Sequence, residues 1–289
     1  MKPIFTFAFA VGVAHLAAAQ TVTPDAAKSP LSVAEPPATL PGYKLVWNDE
    51  FNRDGAPDTT KWNYEMGFVR NKEPQWYQPQ NARVEGGVLV IEARREKIAI
   101  PTFKEDSKEW QTNRRFAEFT SASLTTKEKI GWTYGHFECR ARIDVREASW
   151  PAFWTVGMGR DWPAKGEVDI MEYYNSGLLA NFFWAGGKNG GFAGNAKTKP
   201  IKNFTDPEWA NKFHVWTMDW DATSMTLKVD GETLNTQDIT KTINTADNFN
   251  PFQSPQYIIL NQAIGHGNPE KTPFPMRFEV DYVRVYQKA

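Results

Sequence analysis

Between Tyr134 and Val145 the chain alternates apolar and polar side chains. Phe137, Cys139, Ala141 and Ile143 fall on one side, and His136, Glu138, Arg140 and Arg142 on the other. That period of two belongs to a β-strand with one buried face. Runs of β-forming residues recur at Val88 to Ala93, His214 to Trp220, Met225 to Val229, Gln256 to Ile264 and Phe278 to Tyr286. Asp230-Gly231, set between Thr226-Leu227-Lys228-Val229 and Glu232-Thr233-Leu234, is a two-residue hairpin signal. No amphipathic helix of three turns is apparent. Many strands at short spacing, punctuated by Gly, Asn and Pro, predict an all-β antiparallel sandwich. At 289 residues its sheets must be large and curved. A curved sheet has a concave face on which an extended polymer can lie.

The N-terminus reads differently. Lys2 precedes an apolar or small-residue run from Pro3 to Leu16, and Ala17-Ala18-Ala19 offers small residues for cleavage. We expect a signal peptide over 1–19 and a secreted or periplasmic mature protein. The run is too short to span ~30 Å of hydrocarbon, and no later stretch reaches transmembrane length. Residues 20–41, with Pro24, Pro30, Pro36, Pro37 and Pro41, read as an extended tether. From Gly42 the composition is even, which predicts one domain over 42–289. Cys139 is the single cysteine, so no intramolecular disulfide forms, and its place in the alternation makes it a buried strand residue.

Charge excludes little. Lys+Arg number 33 against 34 Asp+Glu, so nothing pulls the chain toward nucleic acid or an anionic membrane. A monomer is expected. His136, His214 and His266 lack metal-ligand spacing, so no catalytic metal or other catalytic cofactor is expected. His214 reads as structural, Lys104 to Glu109 as a solvated loop, and Gly186 to Gly194 as a loop at the edge of the groove.

The chemistry lies in Gly166-Glu167-Val168-Asp169-Ile170-Met171-Glu172. In a strand, Glu167 and Asp169 share a face, and Val168 and Ile170 share the other. Glu172 has the wrong parity unless one extra residue, a β-bulge near Ile170-Met171, restores it. Three acids on one face repel and push their pKa values apart, so one stays ionised while another holds a proton. A retaining glycosidase needs such a pair about 5–5.5 Å apart. Upstream, Trp150 and Trp154 in Trp150-Pro151-Ala152-Phe153-Trp154 share a face four residues apart, and indoles stack on pyranose rings.

These residues resemble glycoside hydrolase family 16, the laminarinase and agarase group. Trp47-Asn48-Asp49-Glu50-Phe51, the stretch Arg70 to Tyr77, Asn81 to Val84, Gly87 to Ala93 and Tyr134 to Glu138 follow its pattern. So do Trp150 to Trp154, Glu167 to Glu172 and Val280 to Tyr286. The resemblance implies a β-jelly roll of concanavalin type whose concave sheet carries a substrate groove. It implies Glu167 as nucleophile, Glu172 as general acid/base and Asp169 as the assisting acid. Asn71, Trp150 and Trp154 would contact sugars, and the partner would be a polysaccharide. Many members carry a structural calcium, for which backbone oxygens near Gly86 and the Asp281 carboxylate would serve.

One stretch departs from the pattern. Laminarinase-like members have His-Gly-Thr-x-His beyond the acid strand, where this chain has Ala180-Asn181-Phe182-Phe183-Trp184. Asn181 and Trp184 are the expected replacements, and Gln262 is a further groove candidate. The expected function is hydrolysis of internal bonds in a β-linked polysaccharide, a β-1,3-glucan of laminarin type or a β-galactan, with Glu172 carrying the raised pKa. A transglycosylase with the same residues and a carbohydrate-binding module without turnover are the alternatives.

Overall fold

The computed structural model describes residues 39–289; the expected signal peptide and all but the last three residues of the tether lie outside the described residues. Two sheets, of ten and seven strands, form a jelly-roll sandwich. All pairings are antiparallel except one short parallel contact between Gln75–Tyr77 and Phe116–Ser121. No helix among the described residues is long and apolar enough to cross a membrane.

The alternating run forms the strand Gly135–Ile143, at the middle of the ten-stranded sheet. Phe137, Cys139 and Ala141 are fully buried between the sheets, beside Trp216, Val280 and Val283. Cys139 is a buried free thiol, as its position in the alternation predicts. Asp230 and Gly231 have φ of 49° and 82°, the paired positive values that a type I′ hairpin turn requires. His214 lies in the ten-stranded sheet, away from the groove. It bonds Asp230 and the carbonyl of Trp209 and stacks on the Trp209 ring.

Two elements differ from expectation, while the Lys104 to Glu109 segment is the exposed loop that was expected. The strand after Gly87 runs to Ala99, well beyond Ala93. The Lys104 to Glu109 segment belongs to a longer excursion between this strand and Phe116–Ser121. Ile100 of the excursion, with Phe103 and Trp110 packed beside it, joins Phe68, Trp76 and Ala117 from outside it in a small separate core. The Gly- and Asn-rich stretch ends in a strand, Ala193–Pro200, that closes one edge of the seven-stranded sheet. Its partner Gly177–Trp184 supplies the backbone ladder, so pairing overrides a local composition that favours a loop.

The seven-stranded sheet positions the site. At its centre Glu167–Tyr174 lies between Ser149–Gly157 and Gly177–Trp184, with Gln256–Ile264 on the far side of Ser149–Gly157. Val168, Ile170, Phe153, Phe182, Ile258 and Leu260 point inward to the shared core. Each such side chain contributes about 1.5–3 kcal/mol by burial. That inward set fixes the opposite parity as the outer face, on which Ala152, Trp154, Val156, Tyr257 and Ile259 form a floor.

Candidate active site

The acid strand contains the bulge that its parity demands. Register against Gly177–Trp184 shifts between Asp169 and Glu172, and against Ser149–Gly157 between Asp169 and Met171. Ile170 and Met171 both enter the core, so Glu172 turns back to the face of Glu167 and Asp169. All three acids line one cleft, with Arg70, Asn71, Glu73, Trp150, Trp154 and Asn261. Just before the strand, Gly166 has φ of 72°, and a Cβ there would fall 2.7 Å from Pro251. Only glycine fits this entry, and it holds Glu167 in place.

Asp169 sits at the bottom, 6% exposed. Its carboxylate accepts from Asn181 Nδ2 at 2.9 Å and shares a proton with Glu172. Burial, followed by the charge of Glu172, pushes the Asp169 pKa far up, so we place that proton on Asp169. Glu172 also accepts from Trp150 Nε1. Burial dominates its shift to about 7. Glu167 is pushed to about 8, by burial first and by Asp169 second, with Arg70, Lys165 and the Trp162 side chain acting against that rise. The raised pKa is therefore not confined to Glu172. The cluster is dry and rich in acids, so it retains protons at neutral pH as a unit.

The other candidate residues separate on inspection. Trp150 and Trp154 share the groove face. Trp154 is only 9% exposed, donates to Asn261 Oδ1 at 2.7 Å, and has the Arg70 guanidinium 5.0 Å from its ring centroid. One of its faces is thus taken by a cation and not open to a sugar. Asn71, with φ of 53°, lines the cleft and donates to Glu73 at 3.1 Å.

Three expectations are corrected. Asn181 is 2% exposed and serves Asp169, so it is a positioning residue and not an open sugar contact. Trp184 points into the core and packs edge-on against Phe252. Asn181 lies opposite Asp169, so odd positions of that strand face the groove and Phe183 takes the outer place. Gln262 is fully buried on the inner side, bonded to Ser149 Oγ at 3.0 Å, while its neighbour Asn261 lines the cleft.

Sequence reasoning missed Arg70, Glu73, Asn261 and Trp162. Parity along Gln256–Ile264 would have favoured Asn261 over Gln262, because an apolar Leu260 must point inward. Arg70 depends on a partner 5 residues away, Glu65, and Trp162 on how a loop folds back; neither has a local signature. Of the groups expected near a structural calcium, the Asp281 carboxylate is engaged by Arg140, while the backbone near Gly86 is tied through its N–H, which donates to Asp54 at 2.9 Å, and not through its oxygens. Among the described residues no group of three or more His, Cys, Asp or Glu converges to hold a metal ion.

The family model for glycosyl hydrolases family 16 matches residues 75–284, most of the chain. The chain belongs to this family. It is 34% identical to a β-glucanase of Rhodothermus marinus, over 86% of each chain. One solved structure comes from work on endo-acting O-glycanases that prominent members of the human gut microbiota express to initiate mucin breakdown. It superposes with a TM-score of 0.80 at 34% identity, covering 88% of this chain and 94% of that one. The catalytic domain of an endo-1,3-β-glucanase (laminarinase) from Thermotoga petrophila gives 0.69 at 31% identity, covering 85% and 98%. This family 16 chain is accordingly a glycoside hydrolase of the endo-β-glycosidase class, and that chemistry needs no cofactor.

The Asn181 contact makes a testable case within this family 16 site. Asn181→Ala removes the donor that orients Asp169, a bond worth about 1–2 kcal/mol. We expect kcat to fall about 10-fold with KM little changed, as for an interaction used in the transition state. The pH profile should move with it, since Asn181 favours ionised Asp169. An unchanged kcat and pH profile in a folded variant would remove Asn181 from the site.

Proposed function

We propose that this chain hydrolyses internal bonds of a β-linked polysaccharide by double displacement. Glu167 attacks the anomeric carbon while Glu172 protonates the departing oxygen. Glu172 then deprotonates the water that releases the glycosyl-enzyme. Asp169 holds the proton reserve beside Glu172 and is held in turn by Asn181. The observation that carries this reading is the bulge at Ile170-Met171, which brings Glu167, Asp169 and Glu172 to one cleft. A sugar-binding module without turnover has no use for three buried acids that raise one another's pKa values.

For the substrate, we favour a β-1,3-glucan of laminarin type, supported by the β-glucanase and laminarinase likenesses. A second reading, a mucin-type O-glycan, is supported by the higher TM-score with the O-glycanase structure at equal or similar identity. The departure from the His-Gly-Thr-x-His stretch weighs against the laminarin reading and leaves the second one open. We further propose that the mature protein acts outside the cytoplasm as a monomer, on the strength of its N-terminal sequence and self-contained core.

The deciding experiment incubates the protein with laminarin, mixed-linkage glucan, agarose, β-galactan and mucin glycans and reads the products. Oligosaccharides of several lengths from laminarin, with β-anomers formed first, are expected. Transfer products that dominate at high acceptor concentration would indicate a transglycosylase. Binding without product from any chain would refute the hydrolase reading.

A further inference from the structure

The open space does not stop at Glu167. Beyond it a second cavity is lined by Glu65, Arg70, Trp162, Lys165 and Tyr257, and a third, which shares Lys165 and Tyr257, by Lys127 and Met158. The floor follows the strand direction from Trp154 and Ile259 to Val156 and Tyr257. This is a lateral pocket running off the cleft at the Glu167 end.

Its polar groups make no direct contact in the proposed chemistry, although the Lys165 charge reaches Glu167. Tyr257 is 6% exposed, and its hydroxyl has no hydrogen-bond partner among the described residues. Burial pushes its pKa up to about 12, so the hydroxyl stays a donor. Lys165 is half-buried in the same wall. Neither its ammonium nor that of Lys127 has an acid within ion-pair distance among the described residues. Burial, and after it the Lys127 charge, hold the Lys165 pKa below its ordinary value.

The Glu167 carboxyl lines the inner end of the pocket and its charge reaches Lys165, and the remaining charges are committed or peripheral. Arg70 pairs with Glu65, and Arg160 with Asp247, while Glu128 and Asp161 are exposed at the rim. The backbone that carries Lys165 is fixed. A Cβ on Gly157 would lie 2.0 Å from the Lys165 carbonyl, and Gly166 is pressed against Pro251. Two ammonium groups that repel, the exposed Lys127 and the partly desolvated Lys165, face the same space as a phenol hydroxyl that has no protein partner among the described residues, and an anion there would complete all three.

We propose that this pocket is a subsite for an anionic substituent, a sulfate ester or a carboxylate, on the glycan held at Glu167. The anion would accept from Lys165, Lys127 and the Tyr257 hydroxyl. This rests on the reading of the cleft as a glycan-cleaving site and adds a charge preference to it.

The test compares kcat/KM on a sulfated β-galactan and its desulfated form, and on laminarin oxidised to carry 6-carboxylates and untreated laminarin. The protein should favour the charged member of at least one pair, and added salt should weaken that preference. A preference confined to one pair identifies sulfate or carboxylate as the group read. Lys127→Met, Lys165→Met and Tyr257→Phe should each lower the charged-to-uncharged ratio, by about 10-fold for a lysine, the loss expected for a charge-assisted bond. The ratio cancels any effect of Lys165 on Glu167 itself. Equal rates on charged and uncharged chains, or ratios unmoved by all three variants, overturn the subsite. Failure to cleave any chain would instead overturn the proposed function. In that case the affinities of the Glu172→Gln protein for the same two pairs still decide the subsite.

Discussion

Glu167→Gln is expected to abolish turnover, lowering kcat by about 10⁴-fold or more on any polysaccharide the parent cleaves, because covalent catalysis has no fallback once the nucleophile is gone. Glu167→Ala should recover part of the activity with azide, which fits the vacated space and yields a glycosyl azide of inverted configuration. Stability should move the opposite way. The Glu167 pKa is pushed from 4.5 to about 8 in the folded protein. Between those values the folded state binds more protons than the unfolded chain, so its stability falls as pH rises through that window. Glutamine cannot ionise and escapes the loss. The variant should be more stable than the parent at pH 8, by about 4 kcal/mol, and close to it at pH 4.5. Thermal unfolding at the two pH values reads this. A variant equally destabilised at both would mean that Glu167 is an ordinary structural acid.

Glu172→Gln should separate the acid from the nucleophile. On polysaccharides, whose leaving groups need a proton, we expect a loss of about 10²–10⁴-fold. On an aryl β-glycoside with a good leaving group the first step should be nearly intact, so a burst of released phenol is expected while the second step stalls. The parent should show a bell-shaped kcat/KM whose alkaline limb lies near pH 7, where the buried Glu172 carboxyl gives up the proton that the leaving group needs. In Glu172→Gln, assayed with the aryl substrate, that limb should disappear. A parent limb near pH 5, the range of a solvated carboxylate, would contradict the buried and mutually raised acids described above.

Much of this site was legible in the linear order of residues. The period of Glu167 to Glu172 conflicts with its own chemistry, since an unbroken strand would bury Glu172 in the core. A bulge was the one local remedy, and the structure has it. Trp150 and Trp154 were legible for the same reason, since parity is a local property. Trp184 and Gln262 were given the wrong face although their own strands' alternation argues against it, and Asn181 has the right face but is buried beneath Asp169. Asn181 opposite Asp169 settles the face of Trp184, and Ala152 opposite Asn261 that of Gln262.

By itself, then, the sequence determined the strands, the sandwich, the need for a bulge and the three acids, because each follows from residue type and spacing within a few positions. Only the tertiary structure decided how those acids share protons, that Arg70 covers Trp154, and that Tyr257 and two unpaired lysines open beside Glu167. Burial and the approach of charges far apart in the chain set these properties, and neither leaves a trace in local order.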